Sequence, residues 1–296
     1  MHIIMKRTSS AIVLALFSLA STLLAAEAKK IVFIAGPPSH GPAEHEHRAG
    51  CLLLKSCLDG FPGVTSEVYT NGWPQDPAAA FDGVSSIVVY SDGGGGHPLL
   101  QDDRLKTIEG LMNKGVGLVC LHYAVEPTKE KGEKEFLDWI GGCFETDWSV
   151  NPTWHADFKT LPKHPITRGV NPFSITDEWY FHMRFRDDMK GVLPILSAVP
   201  PESTMNRPNG PHEGNPAVRE AVKRGEPQTV AWACERPDGG RGFGFTGGHY
   251  HHNWGNDDVR KLVLNAILWT AKVRVPATGV ESTVTDAQLK QNLDRK

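Results

Sequence analysis

Three runs dominated by apolar residues most constrain the fold of this chain. They are Lys30–Ala35, Val84–Tyr90 and Gly117–Leu121. Continuous apolar runs of this length are typical of strands that are covered on both faces, as in a parallel sheet. Helical patterns lie between them at Glu44–Leu58 and Gln101–Asn113, each with one apolar face. The alternating order predicts an α/β protein with a mostly parallel sheet and right-handed crossovers.

The rest of the chain predicts further elements around this frame. The middle, residues 148–224, is rich in proline and less periodic, which predicts an irregular β-rich insertion with an exposed loop at Asn206–Pro216. The closing helix is expected to start after Asn256, a good N-cap residue. Further predicted elements are strands at Ser66–Thr70, Trp154–Lys159, Phe173–Tyr180 and Val192–Ala198, a hairpin of Gln228–Cys234 with Gly242–Phe245, and helices at Glu133–Ile140 and Asp257–Ala271.

The first 28 residues have the pattern of a secretory signal peptide. Lys6 and Arg7 precede an apolar run at Ala11–Leu24, and Ala26-Glu27-Ala28 is an A-x-A site. The apolar run is shorter than the about 20 residues that span a bilayer. We expect cleavage near Ala28 and a periplasmic or secreted mature protein without a membrane span. A retained N-terminal anchor is the alternative.

Charge and composition exclude several classes of partner. The formal net charge is −3 with no basic block, so a nucleic-acid partner is not expected. The four-glycine run lacks both a Walker pattern and a G-x-G-x-x-G that opens a helix, which argues against a nucleotide cofactor. The eight tryptophans suit a sugar-sized ligand, although most tryptophans simply fill cores.

The five cysteines favour neither a disulfide framework nor thiol catalysis. Their number is odd and no C-x-x-C is present, so a dense set of disulfides is not expected. Cys120 lies within the Gly117–Leu121 run, where a buried thiol is inert.

Histidines and glycines collect where strands of the predicted sheet end. Ligands of open α/β sheets bind at the carboxyl ends of the parallel strands, so these loops are expected to converge. Each predicted strand end contributes several residues. They are His40 and His45 after the first strand; Gly94, Gly95 and His97 after the third; His122 and Tyr123 after Gly117–Leu121; and His249, His251 and Trp254 after the last.

The residue types at these ends indicate a metal-assisted site. His122 stands directly after a buried strand, where α/β hydrolases hold a nucleophile on a strained turn. Asp177 and Glu178 are adjacent carboxylates on a predicted strand and therefore point to opposite faces, with Glu178 expected to face the cleft. Imidazoles with a carboxylate suit zinc or another divalent ion.

We therefore assign predicted roles by residue. The predicted catalytic residues are His122, Glu178 and His249, and the predicted metal ligands are His40, His122 and His249, with zinc as the favoured ion. The predicted substrate-binding residues are His45, Gly94, Gly95, His97, Tyr123, Asp177, His251 and Trp254. His45 and His47 lie two apart on the predicted helix start, so at most one is expected to reach the cleft.

Taken together, these motifs resemble the ThuA-like (trehalose utilisation) family. The similarity rests on the segments KIVFIAGPPSHGPAEHE, DGGGGHP, GLVCLH, HPITRG, TDEWY and GGHYHHNWGNDD. It implies a flavodoxin-like, doubly wound sheet of the class I glutamine amidotransferase type over residues 29–276. Residues 277–296 are polar, which predicts a C-terminal tail or docking segment. The resemblance also implies a role in carbohydrate metabolism, and it places His40, His122, Glu178 and His249 at the family's recurring polar positions.

Three functions follow as hypotheses. The first is a metal-assisted hydrolase, lyase or isomerase that acts on a disaccharide, a glycoside or its keto-sugar derivative. The second is a non-catalytic sugar-binding protein that uses the same cleft. The third is an amidotransferase-like hydrolase, which would need a cysteine at the position that His122 occupies.

Overall fold

The computed structural model describes residues 27–296 of the chain. The predicted signal peptide therefore lies, except for Glu27 and Ala28, outside the described residues. Within residues 27–296, no helix combines the length and the apolar composition needed to cross a membrane.

A seven-stranded sheet organises the fold. Its strands are β1 (Lys29–Ala35), β2 (Val64–Tyr69), β3 (Val84–Tyr90), β4 (Gly117–Leu121), β9 (Val192–Ala198), β10 (Gln228–Glu235) and β11 (Arg241–Phe245), and the insertion adds β5 (Gly142–Cys143), β6 (Trp154–Phe158), β7 (Phe173–Asp177) and β8 (Arg184–Phe185). The helices are α1 (His47–Leu58), α2 (Pro77–Phe81), α3 (Arg104–Met112), α4 (Glu133–Trp139), α5 (Pro216–Lys223), α6 (Asp257–Thr270) and α7 (Asp286–Leu289).

The strand order confirms the predicted doubly wound sheet. It runs β2-β1-β3-β4-β11-β10-β9, and the first five strands pair in parallel. β10 is antiparallel to β11, to which the predicted hairpin joins it, and it is also antiparallel to β9. The β-rich insertion forms two small antiparallel sheets, β5 with β8 and β6 with β7. The carboxyl ends of β1, β3, β4 and β11 consequently meet at one edge.

Burial on both faces explains the apolar runs. In β1, Ile31 and Phe33 belong to a core cluster shared with α1 and α6, whereas Val32 and Ile34 belong to a second cluster shared with α3 and α4. None of these four side chains is exposed. Helices therefore cover both faces of the sheet, as the sequence predicts.

The helix after β1 begins later than predicted. We expected it from Glu44, but α1 starts at His47. His40, Ala43 and His45 all have positive φ angles, of 59°, 65° and 45°, which break a right-handed helix. His45 therefore belongs to a loop and not to a helix face, and the helical rule that separates it from His47 does not apply.

The C-terminal segment, residues 277–296, packs on the domain. Val280 is buried and its backbone N–H donates to Asn265 Oδ1 at 2.8 Å. Near the end, the backbone N–H of Asp294 donates to Glu46 Oε2 at 2.7 Å. The segment thus reaches the loop that carries His45.

Candidate functional site

Four side chains converge at the carboxyl edge of the sheet. They are His45 from the loop after β1, His122 after β4, Glu178 after β7 and His249 after β11, and one donor atom from each lies within 4.8 Å of all the others. The three imidazoles are buried and the Glu178 side chain is 18% exposed. We call this set the histidine cluster.

His122 is fixed at the end of β4 in a left-handed conformation, with φ at 55°. Its Nδ1 donates to the backbone carbonyl of Thr246 at 2.8 Å, since a carbonyl oxygen only accepts. The neutral ring therefore turns a lone pair on Nε2 toward the cluster. Burial lowers the pKa of His122 well below its usual value, so this neutral form prevails at pH 7.

His45 presents an equivalent nitrogen from the opposite side. Its Nδ1 lies 2.7 Å from Asp92 Oδ1, and its Nε2 lies 3.0 Å from His122 Nε2. Burial lowers the pKa of His45 to about 4, although the hydrogen bond to Asp92 opposes that shift. The Asp92 carboxylate thus accepts a hydrogen bond from the Nδ1–H of His45, which leaves the Nε2 lone pair in the cluster.

His249 and Glu178 complete the set. His249 Nδ1 lies 3.0 Å from His45 Nε2 and 3.2 Å from Glu178 Oε2, and the same Glu178 oxygen is 3.6 Å from His122 Nε2. Burial lowers the pKa of His249, but the hydrogen bond and charge of Glu178 outweigh this effect and raise it overall. The other Glu178 oxygen accepts from Asn151 Nδ2 at 3.3 Å.

The two adjacent carboxylates have different tasks, and Glu178 is the one that faces the cluster. Asp177 is buried and accepts from the backbone N–H groups of Gly248 and His249, at 2.8 and 3.1 Å. It also accepts from Asn253 Nδ2 at 2.9 Å. Asp177 therefore holds the turn that carries His249 and does not contact the cleft as a substrate ligand.

His40 lies outside the histidine cluster, although the sequence analysis predicted it as a metal ligand with His122 and His249. Its side chain is 42% exposed, and its ring stacks on that of His45 with the centroids 3.5 Å apart. It forms a second, more open group with His45 and Asp92. In the buried set of donors, His45 occupies the position that the sequence assigned to His40.

The donor chemistry of the cluster fits a divalent metal ion. The Nε2 lone pairs of His45 and His122 face each other at 3.0 Å, and repulsion between them needs a proton or a cation to relieve it. Two nitrogens bound to tetrahedral zinc at about 2.1 Å lie about 3.4 Å apart, close to the separations here. Metal-binding histidines also donate their other N–H to a carboxylate or a carbonyl, as His45 and His122 do. The Tyr180 hydroxyl, 3.2 Å from His122 Nε2, is a competing donor.

Three predicted substrate ligands have buried side chains. His97 is fully buried, with Nδ1 accepting from Leu99 N and Nε2 donating to the carbonyl of Ala124, so it stabilises the turn after β3. His251 and Trp254 are also buried. Within the described residues these three side chains are part of the packed protein, and their contact with a substrate stays a prediction.

The other predicted substrate ligands lie beside the cluster. Gly94, Gly95 and Tyr123 line a cavity of about 500 Å³. The cavity also holds Glu126 and His212, which the sequence analysis did not select. We call it the side cavity.

The cysteines take no part in the site. All five are free, and Cys120 is fully buried within β4. Burial raises the pKa of its thiol.

The comparisons with known proteins identify the family. The model of the family described as ThuA, trehalose utilisation, matches residues 76–270, which is more than half of the chain. The chain belongs to the ThuA family. That description indicates a carbohydrate-related role for this ThuA-family protein. The matched span contains His122, Glu178 and His249, whereas His45 lies before it.

Three solved structures are similar to this chain, and the first of them shows the same fold. A ThuA-like protein from Bacteroides uniformis has 15% identity and a TM-score of 0.57, covering 86% of this chain and 95% of its own. A glutamine amidotransferase from Thermotoga maritima has 7% identity and a TM-score of 0.45, covering 82% and 98%. The glutaminase domain of Trypanosoma brucei CTPS has 10% identity and a TM-score of 0.44, covering 85% and 97%. No curated protein sequence matches the chain.

Proposed function

We propose that this ThuA-family protein is an exported, metal-assisted enzyme that acts on a disaccharide, a glycoside or its keto-sugar derivative. The observation that carries the proposal is the meeting of three imidazole nitrogens, from His45, His122 and His249, with the Glu178 carboxylate at the carboxyl edge of the sheet. That edge is where open α/β sheets bind their ligands. The family description supports the sugar, and the donor set supports the metal.

His45, His122 and His249 would hold the ion. A divalent ion bound there would polarise a sugar carbonyl oxygen or lower the pKa of a bound water. Glu178 is more accessible than the imidazoles, with its side chain 18% exposed, and we assign it the transfer of the proton. Asn151 orients this carboxylate through the 3.3 Å hydrogen bond, and Asp177 fixes the backbone of His249.

Elemental analysis of the purified protein is the first test. We expect about one divalent metal ion per chain, lost in His45→Ala and in His122→Ala. His252→Ala is the matched control, because it belongs to the same histidine-rich run but is exposed. Full metal content in His45→Ala and His122→Ala, or no metal after reconstitution of the folded wild type, would reject the metal centre.

Glu178→Gln separates catalysis from binding. The substitution keeps the size and the hydrogen bond from Asn151 but removes the base, so turnover should fall by about 100-fold or more while metal content stays unchanged. Loss of metal in this variant would make Glu178 a ligand instead. A wild-type protein that binds sugar after chelation and forms no product from any disaccharide or keto-sugar tested would favour the non-catalytic sugar-binding alternative.

A further inference from the structure

We propose that the side cavity is the subsite for the second sugar ring of a disaccharide whose first ring lies at the histidine cluster. This inference rests on the proposed function for the position of the first ring. The cavity is built from the turn after β3, the turn after β4 and residues 145–148, and His212 reaches it from the loop at residues 206–216. Its volume of about 500 Å³ lies in the range of small-molecule sites.

Tyr123 joins the side cavity to the histidine cluster. It lines the cavity, and its ring centroid is 6.1 Å from that of His45. The ring also lies edge-on to Tyr180, whose hydroxyl contacts His122. One sugar ring in the cavity would therefore neighbour a second ring at the cluster, with Tyr123 between the two sites.

Glu126 supplies unused acceptor capacity inside the cavity. This residue is only 3% exposed, yet among residues 27–296 its carboxylate accepts from a single group, His212 Nε2, at 2.9 and 3.2 Å. An ionised carboxylate has about four acceptor positions, and buried ones usually fill several of them. Two neighbouring sugar hydroxyls offer two O–H donors of the kind that are missing.

Gly95 leaves space at the cavity wall, and its backbone conformation does not require a glycine. At Gly94 the φ angle is 57°, which residues with a side chain rarely adopt, so the backbone conformation explains the glycine there. Gly95 has no such angle, and a Cβ built on it meets no atom within 4 Å. A side chain at residue 95 would therefore extend into open space at the cavity wall, so a large one there should compete with a ligand in the cavity.

Titration calorimetry with trehalose tests this subsite directly. The proteins are the wild type, Gly95→Leu, Glu126→Gln and the control Gly96→Leu, each with and without prior chelation of metal. Gly96, like Gly95, is exposed and has no atom within 4 Å of a built Cβ, but it does not line the cavity. Trehalose affinity should fall by about tenfold or more in Gly95→Leu, through steric filling, and in Glu126→Gln, through loss of charge-assisted hydrogen bonds. Gly96→Leu should stay within about twofold of the wild type.

The outcomes separate this inference from the proposed function. Equal trehalose affinity in Gly95→Leu and the wild type, or no trehalose binding by the wild type, would overturn the subsite. Circular dichroism confirms that each variant folds, and metal content should be unchanged in all three. A protein that lacks metal but binds trehalose in a Gly95-dependent way would retain the subsite and reject the metal-assisted reaction.

Discussion

His122 and His45 bring equivalent nitrogens to the same point, but the chain positions them by opposite means. His122 follows β4, a central strand paired on both sides, and its rear nitrogen donates to the backbone of Thr246 beside the neighbouring strand. His45 lies in a loop with positive φ angles, and its rear nitrogen contacts the side chain of Asp92. We call His122 with the end of β4 the His122 arm, and the loop that carries His45, together with Asp92, the His45 arm. The His122 arm depends on the sheet, whereas the His45 arm depends on side chains and loops.

The loop that carries His45 is held by distant parts of the chain. The backbone N–H of His45 donates to the carbonyl of His249, and that of His251 donates to the carbonyl of Ala43, both at 3.0 Å. Glu46 is fully buried and accepts from Ala43 N at 3.1 Å. Because these contacts join loops and a side chain and are not part of the sheet ladder, the His45 arm should be easier to perturb than the His122 arm without damage to the sheet.

Asp92→Asn should break the His45 arm alone. An asparagine oxygen accepts more weakly than a carboxylate, so the His45 ring loses its fixed orientation. We expect metal affinity to fall about 10- to 100-fold, the usual effect of changing a residue behind a metal-binding histidine. Competition with a metal-binding dye measures this change.

Asp157→Asn is the control for that experiment, because Asp157 is an exposed carboxylate outside the histidine cluster. Unchanged metal affinity in Asp92→Asn would show that His45 does not depend on Asp92.

Lys296→Met should loosen the same arm by a smaller amount. The Lys296 side chain is 7% exposed, lies 3.4 Å from Glu46 Oε1, and donates to the carbonyls of Gly41, Glu44 and His45. Its removal leaves a buried carboxylate and several carbonyls with fewer donors. We expect the free energy of unfolding to fall by about 1–3 kcal/mol in urea denaturation.

The spectrum of bound cobalt(II) distinguishes positioning from general stability. Lys296→Met should alter the spectrum, Lys296→Arg should restore it in part, and the exposed Lys290→Met should leave it as in the wild type. A native spectrum in Lys296→Met would limit Lys296 to a structural role.

The difference between the two arms also explains what could be predicted. Because β1 and β4 are buried on both faces, their residues are almost all apolar, and this pattern predicts both strands. The predicted end of β4 then predicts the position of His122. The sequence could not predict that His45, and not His40, belongs to the histidine cluster. The loop conformation that places His45 there has left-handed φ angles at non-glycine residues, and these depend on tertiary contacts. The pairing of Glu126 with His212 joins two loops 86 residues apart and leaves no local pattern.

His97 lies outside the histidine cluster, so its substitution tests how acid lowers the stability of the fold without changing the cluster. Burial lowers its pKa to about 4, from an ordinary value of 6.5, and both ring nitrogens are hydrogen-bonded in the neutral form. Because the pKa is lower in the folded state, the stability contributed by neutral His97 is complete above pH 6.5. It is lost as the pH falls from 6.5 toward 4. In urea denaturation of the chelated protein, His97→Gln should flatten this decline by up to about 1.4 kcal/mol per pH unit. The exposed His252→Gln should keep the wild-type slope, and an equal slope in His97→Gln would show that His97 is not the source of the decline.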